Sequence, residues 1–275
     1  MGAQIGCEYA LGGHDVTLVA RDAAAVERRV EAALQLVEEH GLGQTGRTRE
    51  RLRVTTGPVS ALACDLAVES VPEELELKAG LLREVAAGSP EAVLASNTSS
   101  IPITALGTAV GAPERVLGTH YLNPPLLMPP VELVAGERTD PALLAAMAET
   151  LQALGKQPVL VRRDVPGFVW NRLQFALLRE CAWLVDEGVA STEDVDRVVR
   201  DGLARRWRRV GPFAAIGLGG VETWNRAGSN LVPEISTAAS LGDLSRFVSA
   251  DAKAQEQLRA IRDAALAEEL RAERA

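Results

Sequence analysis

The chain is poor in cysteine and histidine. Its 275 residues contain three histidines and three cysteines, Cys7, Cys64 and Cys181. The cysteines are widely spaced and form neither a metal-ligand pattern nor a disulfide framework, so we expect free thiols, no bound metal and a reducing cytoplasmic location. No apolar run is long enough to span a bilayer, and no signal peptide is visible, which argues against a membrane protein.

Positive charge is also in deficit. The formal net charge is −8 and the isoelectric point is near 5.1. Such a surface repels phosphate backbones, so we expect no nucleic-acid partner. Hydrophobic residues make up 47% of the chain, which is enough for a sizeable core in one large or two ordinary domains.

Strand and helix patterns alternate along the first part of the chain and then stop. The alternation from residue 1 to about 163 predicts an α/β domain with a parallel sheet covered by helices. From 164 to 275 the pattern is almost entirely helical, and a long apolar helix is expected to begin at Pro166. We therefore predict a Rossmann-type, doubly wound sheet in residues 1–163 and an all-helical domain in 164–275.

The opening stretch, "MGAQIGCEYALGGHDVTLVARD", has the pattern of a helix followed by a short strand. This is the second half of a dinucleotide-binding βαβ unit. The strand and the first glycines that should precede the helix are not in the chain. The predicted sheet therefore lacks its first strand.

Polar segments interrupt the apolar runs at three places. "SNTSS", residues 96–100, follows a predicted strand, where open α/β sheets bind ligands; a helix cap made of hydroxyls is the alternative interpretation. His120 also follows a strand, and Glu132 stands within the apolar run "VELV", where a carboxylate needs a partner. A histidine and a glutamate paired in this way form a common acid/base arrangement. Asn171 opens the long helix, where a purely structural helix needs no amide.

The ordered set "SNTSSIPIT", "THYLNPP", "VELV" and "DVPGFVWNR" resembles the 3-hydroxyacyl-CoA dehydrogenase family and its relatives that act on free hydroxy acids. The resemblance covers nearly the whole chain and includes "DLAVESVPEELELK" and "VGPF". It implies oxidation of a secondary alcohol with hydride transfer to a nicotinamide cofactor. It also implies a homodimer formed through the helical domains.

The resemblance assigns roles residue by residue. His120 matches the catalytic base and Glu132 its carboxylate partner. Ser99 and Asn171 match the residues that hold the substrate oxygen, and Asn123 is a further candidate for substrate binding. The expected cofactor-binding residues are Gly2, Arg21, Glu73, Lys78 and Asn97.

The N-terminus departs from the family pattern, because the family's glycine motif ends in the Met-Gly that matches Met1 and Gly2. One interpretation is that Met1 is the internal methionine of that motif. The other is a short, cofactor-impaired relative that serves as a structural or binding protein without catalysis.

Two further departures concern specificity. Ala20 replaces the acid that binds the ribose of NAD, and Arg21 beside it favours a 2′-phosphate, so NADP joins NAD as a candidate cofactor. Before the "GPF" turn, Arg206 lies in an arginine-rich stretch that resembles the branch acting on free acids. An arginine there suits a substrate carboxylate or the phosphate of CoA, and a solvated basic surface is the simplest alternative.

Overall fold

The computed structural model of the chain describes residues 1–248 and 251–274. They form two compact units, one of Met1–Asn171 with Lys253–Ala275 and one of Arg172–Ala252. The first unit is α/β and the second is helical. The predicted fold class is therefore confirmed.

Helices and strands alternate in the first unit. In chain order they are α1 (Gly2–Leu11), β1 (Val16–Val19), α2 (Ala23–Glu39), α3 (Thr45–Glu50), β2 (Leu52–Thr55), β3 (Leu66–Glu69), α4 (Leu75–Gly88), β4 (Val93–Ser96), α5 (Ile103–Val110), β5 (Val116–Tyr121), β6 (Pro130–Ala135), α6 (Pro141–Ala153) and β7 (Gln157–Val161). Asp22 and Asp140 cap α2 and α6, each accepting a backbone N–H with its side chain. These short polar caps end the preceding loops and set where each helix begins.

The strands form two sheets. β1 and β2 pair in parallel, and the other five follow the order β3-β4-β5-β6-β7. β3, β4 and β5 are parallel, but β6 runs antiparallel to β5, and β7 is parallel to β6. The expectation of a wholly parallel sheet is corrected here, because residues 122–129 link β5 to β6 without the crossover helix that a parallel connection needs.

Helix α1 packs against both sheets. Its buried Ile5 and Tyr9 share one apolar cluster with Val16 of β1 and with Leu66 and Val68 of β3. Among the described residues, β1 pairs only with β2, and β3 only with β4. The sheet is thus divided at the place where the sequence predicts a missing first strand.

The core surrounds the central strands. β5 is buried along its whole length, and Leu94 and Ala95 of β4 are also buried. Leu82 of α4 lies in the cluster on one side of the sheet, and Leu151 of α6 lies in the cluster on the other. Burial on both faces is typical of the centre of a doubly wound sheet.

The polypeptide between β7 and the next helix turns sharply. Gly167 and Phe168 have φ values of 78° and 49°. These left-handed conformations are incompatible with a helix, so α7 spans Trp170–Asp186 and the predicted helix start at Pro166 is wrong.

The second unit contains the rest of α7 and short helices. These are α8 (Thr192–Arg197), α9 (Arg205–Trp207), α10 (Pro212–Gly219) and α11 (Val221–Leu231), with a π-helical stretch, Val198–Ala204, between α8 and α9. In the part of the chain that the structure describes, no helix combines the length and the apolar character needed to cross a membrane.

The last helix, α12 (Ala252–Arg274), packs with the first unit. Ala267 and Leu270 are buried, and the guanidinium of Arg271 donates to the backbone carbonyl of His40 at 2.9 Å. The first compact unit therefore includes α12 and residues up to Asn171, and the predicted domain boundary at residue 163 stays a prediction. The sequence shows an amphipathic helix here but not which unit its narrow apolar stripe packs against.

Gly88 at the end of α4 provides a test of how closely that helix packs against the backbone at Ser60. A Cβ there would collide with the backbone carbonyl group of Ser60, whose carbon would lie 2.9 Å away. We expect Gly88→Ala to lower the free energy of unfolding by about 1–3 kcal/mol, because neither backbone can yield easily. Urea unfolding measures the change.

Gly80→Ala is the matched control in the middle of the same helix. A Cβ at Gly80 meets no atom within 4 Å. Alanine should stabilise the helix there by about 1 kcal/mol or less. Equal effects of the two substitutions would contradict the packing at Ser60.

Candidate active site

His120 and Glu132 face each other across β5 and β6. The antiparallel register places them directly opposite, so their side chains lie on the same face of the sheet. Nδ1 of His120 lies 2.6 Å from Oε2 of Glu132, and the two residues are 5% and 2% exposed. The predicted proximity of the pair is confirmed.

Glu132 also holds the start of α7. Its Oε1 accepts the backbone N–H groups of Val169 and Trp170, each at 2.8 Å. Burial works to raise the pKa of Glu132, but the hydrogen bonds from His120 and from these two amides outweigh it and lower the pKa. Glu132 is therefore a carboxylate that accepts the Nδ1 proton of His120, which leaves Nε2 as the nitrogen that can exchange a proton.

Phe168 covers the imidazole. The two ring centroids are 5.7 Å apart at an interplanar angle of 59°, and Phe168 is buried. Its left-handed backbone turns the chain so that residues 169 and 170 present their amides to Glu132. The sequence patterns did not predict this role of Phe168, although the Gly167-Phe168 pair was the available signal.

The turn of residues 96–100, which carries Ser99, follows β4 and meets two other segments. The side-chain amide of Asn171 donates to the carbonyl oxygen of Ser99 at 3.2 Å. Oδ1 of Asn97 accepts the backbone N–H of Tyr121, next to His120, at 2.8 Å. The structure thus brings Asn97, Ser99, Asn171 and the His120–Glu132 pair into one region, at the carboxyl end of β4.

Glu73 holds this turn from the neighbouring loop. Its Oε1 accepts from the hydroxyl of Thr98 at 2.6 Å, from the amides of Ser99 and Ser100 at 2.8 and 2.7 Å, and from the Ser100 hydroxyl at 3.0 Å. Burial works to raise the pKa of Glu73, but these hydrogen bonds and Lys78 lower it to about 2. Glu73 is a charged acceptor for the turn in this structure, and the predicted contact with a cofactor stays a prediction.

Lys78 is buried and faces protein acceptors. Its ammonium donates to Oε1 of Glu69 at 2.9 Å and to the carbonyl of Val71 at 3.0 Å, and it lies 3.3 Å from Oε2 of Glu73. Oε2 of Glu69 accepts the Ser96 hydroxyl at 2.7 Å. Glu69 was missed in the sequence, where a glutamate at a strand end carries no signal of its own, whereas Ser96 belongs to the polar segment 96–100 that the sequence singled out. A role of Lys78 in cofactor binding also stays a prediction.

The remaining predicted residues lie outside this cluster of contacts. Asn123 is exposed in the segment after β5. Arg21 is exposed directly after β1, and the neighbouring Asp22 caps α2 through the Ala25 amide. Arg206 belongs to α9 of the second unit. Their binding roles are untested by these contacts.

The amino end of α1 lies beside the carboxyl end of β3. Gly2 begins the helix beside Ser70, just after β3, and a Cβ at Gly2 would lie 3.6 Å from that of Ser70. A helix N-terminus at the carboxyl edge of a parallel sheet attracts a pyrophosphate through its free N–H groups and its dipole. The predicted contact of Gly2 with the cofactor stays a prediction.

The hydrogen bonds of Glu73 predict a pH dependence of stability. With a folded-state pKa near 2 against 4.5 for a free glutamate, its charge contributes stability above pH 4.5, and that contribution is lost as the pH falls towards 2. We expect Glu73→Gln to lower the free energy of unfolding at neutral pH, and the difference from wild type to shrink below pH 4.5. Urea unfolding across this range is the measurement.

The exposed neighbour Glu74, substituted in the same way, is the control and should leave the acid limb unchanged. A wild-type advantage over Glu73→Gln that stayed constant from pH 7 to pH 2 would contradict the assigned hydrogen bonds.

Known proteins that resemble this chain belong to one family of dehydrogenases. The model of the 3-hydroxyacyl-CoA dehydrogenase NAD binding domain matches residues 1–165, and that of the C-terminal domain matches residues 167–251. L-carnitine dehydrogenase of Streptomyces griseus is 40% identical over 215 residues, which are 76% of this chain and 64% of that protein.

A second relative is similar over more of its length. The 5-formyl-3-hydroxy-2-methylpyridine 4-carboxylate 5-dehydrogenase of Mesorhizobium japonicum is 34% identical over 241 residues, covering 86% of this chain and 78% of that protein. A crystal structure of such a dehydrogenase, described as an NAD+ dependent dismutase, has a TM-score of 0.88 at 30% identity over 98% of this chain and 93% of its own. The chain belongs to the 3-hydroxyacyl-CoA dehydrogenase family of NAD-dependent oxidoreductases.

Proposed function

We propose that this enzyme oxidises the 3-hydroxyl group of a small hydroxy acid or of a 3-hydroxyacyl-CoA, with NAD as hydride acceptor and His120 as general base. The observation that carries the proposal is the buried His120–Glu132 pair at 2.6 Å. A catalytically silent binding protein would not need a charged carboxylate in an apolar strand, which costs free energy unless it is partnered.

The pair prepares His120 to take a proton. Glu132 accepts the Nδ1 proton of the ring and so directs the basic Nε2 towards the substrate. As Nε2 takes the hydroxyl proton, the negative charge of Glu132 stabilises the imidazolium that forms. Phe168 against the ring limits access of water to this pair.

Ser99 and Asn171 are proposed to bind the substrate oxygen. Ser99 is exposed on a turn whose backbone is held by Glu73, and Asn171 is tied to the same turn through the Ser99 carbonyl. Asn97 is held between this turn and β5 and is proposed to contact the nicotinamide. NAD, held at the N-terminus of α1, supplies the hydride acceptor when it is bound.

A free carboxylic acid is the favoured substrate class. The two curated relatives described above act, by their names, on L-carnitine and on a pyridine carboxylate, both small carboxylic acids. Arg206 is the proposed carboxylate ligand, because a guanidinium matches the two oxygens of a carboxylate.

The choice between NAD and NADP depends on the end of β1. Ala20 offers no acceptor for a ribose hydroxyl, and the carboxylate of Asp22 is engaged in capping α2. Arg21 is exposed there and carries a permanent positive charge. We propose that the preference for NAD is weakened towards parity with NADP.

A homodimer through the second unit is also proposed. Large apolar side chains are exposed there, and contiguous exposed apolar surface marks interaction sites. Those side chains include Leu173, Phe175, Phe213, Leu218 and Leu231. A second copy of this unit is the occupant that the family resemblance implies.

A cytoplasmic location remains part of the proposal. The three cysteines are free thiols, and burial raises the pKa of Cys7 to about 12. Unpaired thiols suit a reducing compartment.

Substitution of His120 tests the reaction. We expect His120→Ala to lower kcat for NADH formation from L-carnitine or 3-hydroxybutyrate by about a hundred- to ten-thousandfold, as the loss of a general base does. His40→Ala is the matched control, because the contact of His40 with Arg271 is made by its backbone carbonyl. Unchanged turnover in His120→Ala would exclude the proposed base.

Substitution of Ala20 tests coenzyme choice. Ala20→Asp adds a charged acceptor for the ribose and should shift the ratio of dissociation constants towards NADH over NADPH by about tenfold or more. Fluorescence titration with both coenzymes measures it, and Arg21→Gln should weaken NADPH alone. A wild type that already prefers NADH a hundredfold, with no change in Ala20→Asp, would contradict the interpretation.

A further inference from the structure

A buried ion-pair cluster lies beside the turn that carries Ser99. Glu69 ends β3 and is 7% exposed. Its Oε1 accepts the Val71 amide at 2.6 Å and the Lys78 ammonium at 2.9 Å, and its Oε2 accepts the Ser96 hydroxyl at 2.7 Å. Glu69 therefore joins the ends of two neighbouring strands, β3 and β4, to one lysine of α4.

The ammonium of Lys78 links the two glutamates. The residue is 1% exposed, and its three protons face three acceptors, namely Glu69, the Val71 carbonyl and Oε2 of Glu73. Its donors are thus satisfied within the protein. A lysine used in this way orients Glu73.

The contacts of Glu73 divide between its two oxygens. Oε2 faces Lys78, while Oε1 accepts the amides of Ser99 and Ser100 and two hydroxyls of the turn. A continuous series of hydrogen bonds and ion pairs thus runs from Glu69 through Lys78 and Glu73 to the backbone of Ser99. A second connection runs from Glu69 through the Ser96 hydroxyl to the Thr98 amide at 3.2 Å.

We propose that Glu69 is a positioning residue that fixes the Ser96–Ser100 turn, and with it Ser99 and Asn171, through Lys78 and Glu73. The link to turnover rests on the function proposed above, in which Ser99 binds the substrate oxygen. The cluster holds two carboxylates and one ammonium. Removing the ammonium leaves two carboxylates without a counterion, and neutralising Glu69 leaves Lys78 held by the Val71 carbonyl and the partly exposed Glu73 alone.

Hydrogen exchange of the turn amides tests the positioning without any reaction. In Glu69→Gln, Lys78 loses its ion pair with Glu69 and no longer orients Glu73. The amides of Ser99 and Ser100 should therefore exchange about tenfold faster than in wild type. Amides of β5 should keep their protection. Glu76→Gln, the same change at an exposed position two residues before Lys78, is the control and should exchange within about twofold of wild type. Unchanged exchange at Ser99 and Ser100 in Glu69→Gln would overturn the proposal.

A double variant separates an ion-pair link from simple packing. Lys78→Met leaves two carboxylates without their ammonium, so its turn amides should lose more protection than those of Glu69→Gln with Lys78→Met together. Additive losses in the double variant would overturn the proposal. If Glu69→Gln also loses protection in β5, the double variant decides: loss confined to the turn supports the proposal, and loss throughout the unit overturns it.

Turnover gives a second readout. At saturating NAD, Glu69→Gln should lower kcat/KM for the hydroxy acid about tenfold, since the residue orients the substrate-binding turn. An unchanged kcat/KM for the hydroxy acid at saturating NAD would overturn the proposal. An inactive wild type would contradict the proposed function alone, because the exchange measurement still decides the positioning role.

Discussion

The site depends on the hydrogen bonds accepted by one buried carboxylate, that of Glu132. One oxygen accepts from His120 on the adjacent strand, and the other accepts from two amides at the start of α7. A buried carboxylate is costly unless such donors satisfy it, so the strand pair, the turn at Phe168 and the helix start stabilise one another. The bond to Oε2 also fixes the orientation of the His120 imidazole.

The turn that carries Ser99 follows the same physical rule. Its amides donate to Glu73, and Glu73 is in turn held by Lys78 beside Glu69. A short turn with exposed hydroxyls has few apolar contacts of its own. The charges of Glu73, Lys78 and Glu69 therefore hold the backbone of this turn.

The sheet is divided on the side of α1, where the cofactor is expected, and not at the strands that carry His120 and Glu132. β1 and β3 both pack on α1, and the described strands leave their facing edges unpaired. The amino end of α1 lies beside the end of β3, where a dinucleotide is expected. The His120–Glu132 pair lies farther along the sheet, on β5 and β6, and its geometry is complete in this chain.

The sequence by itself determined the α/β class, the division of the sheet and the pairing of His120 with Glu132, because these follow from local patterns. A glutamate in an apolar run needs a partner, and His120 at a strand end was available to it. Tertiary structure alone decided that β6 runs antiparallel to β5, which places His120 and Glu132 opposite each other. It also decided that Glu69, through Lys78, lies beside a turn that is far from it in the sequence. It also decided that α12 packs with the first unit. Strand direction, buried ion pairs and helix docking depend on contacts between segments far apart in the chain, and no local pattern encodes them.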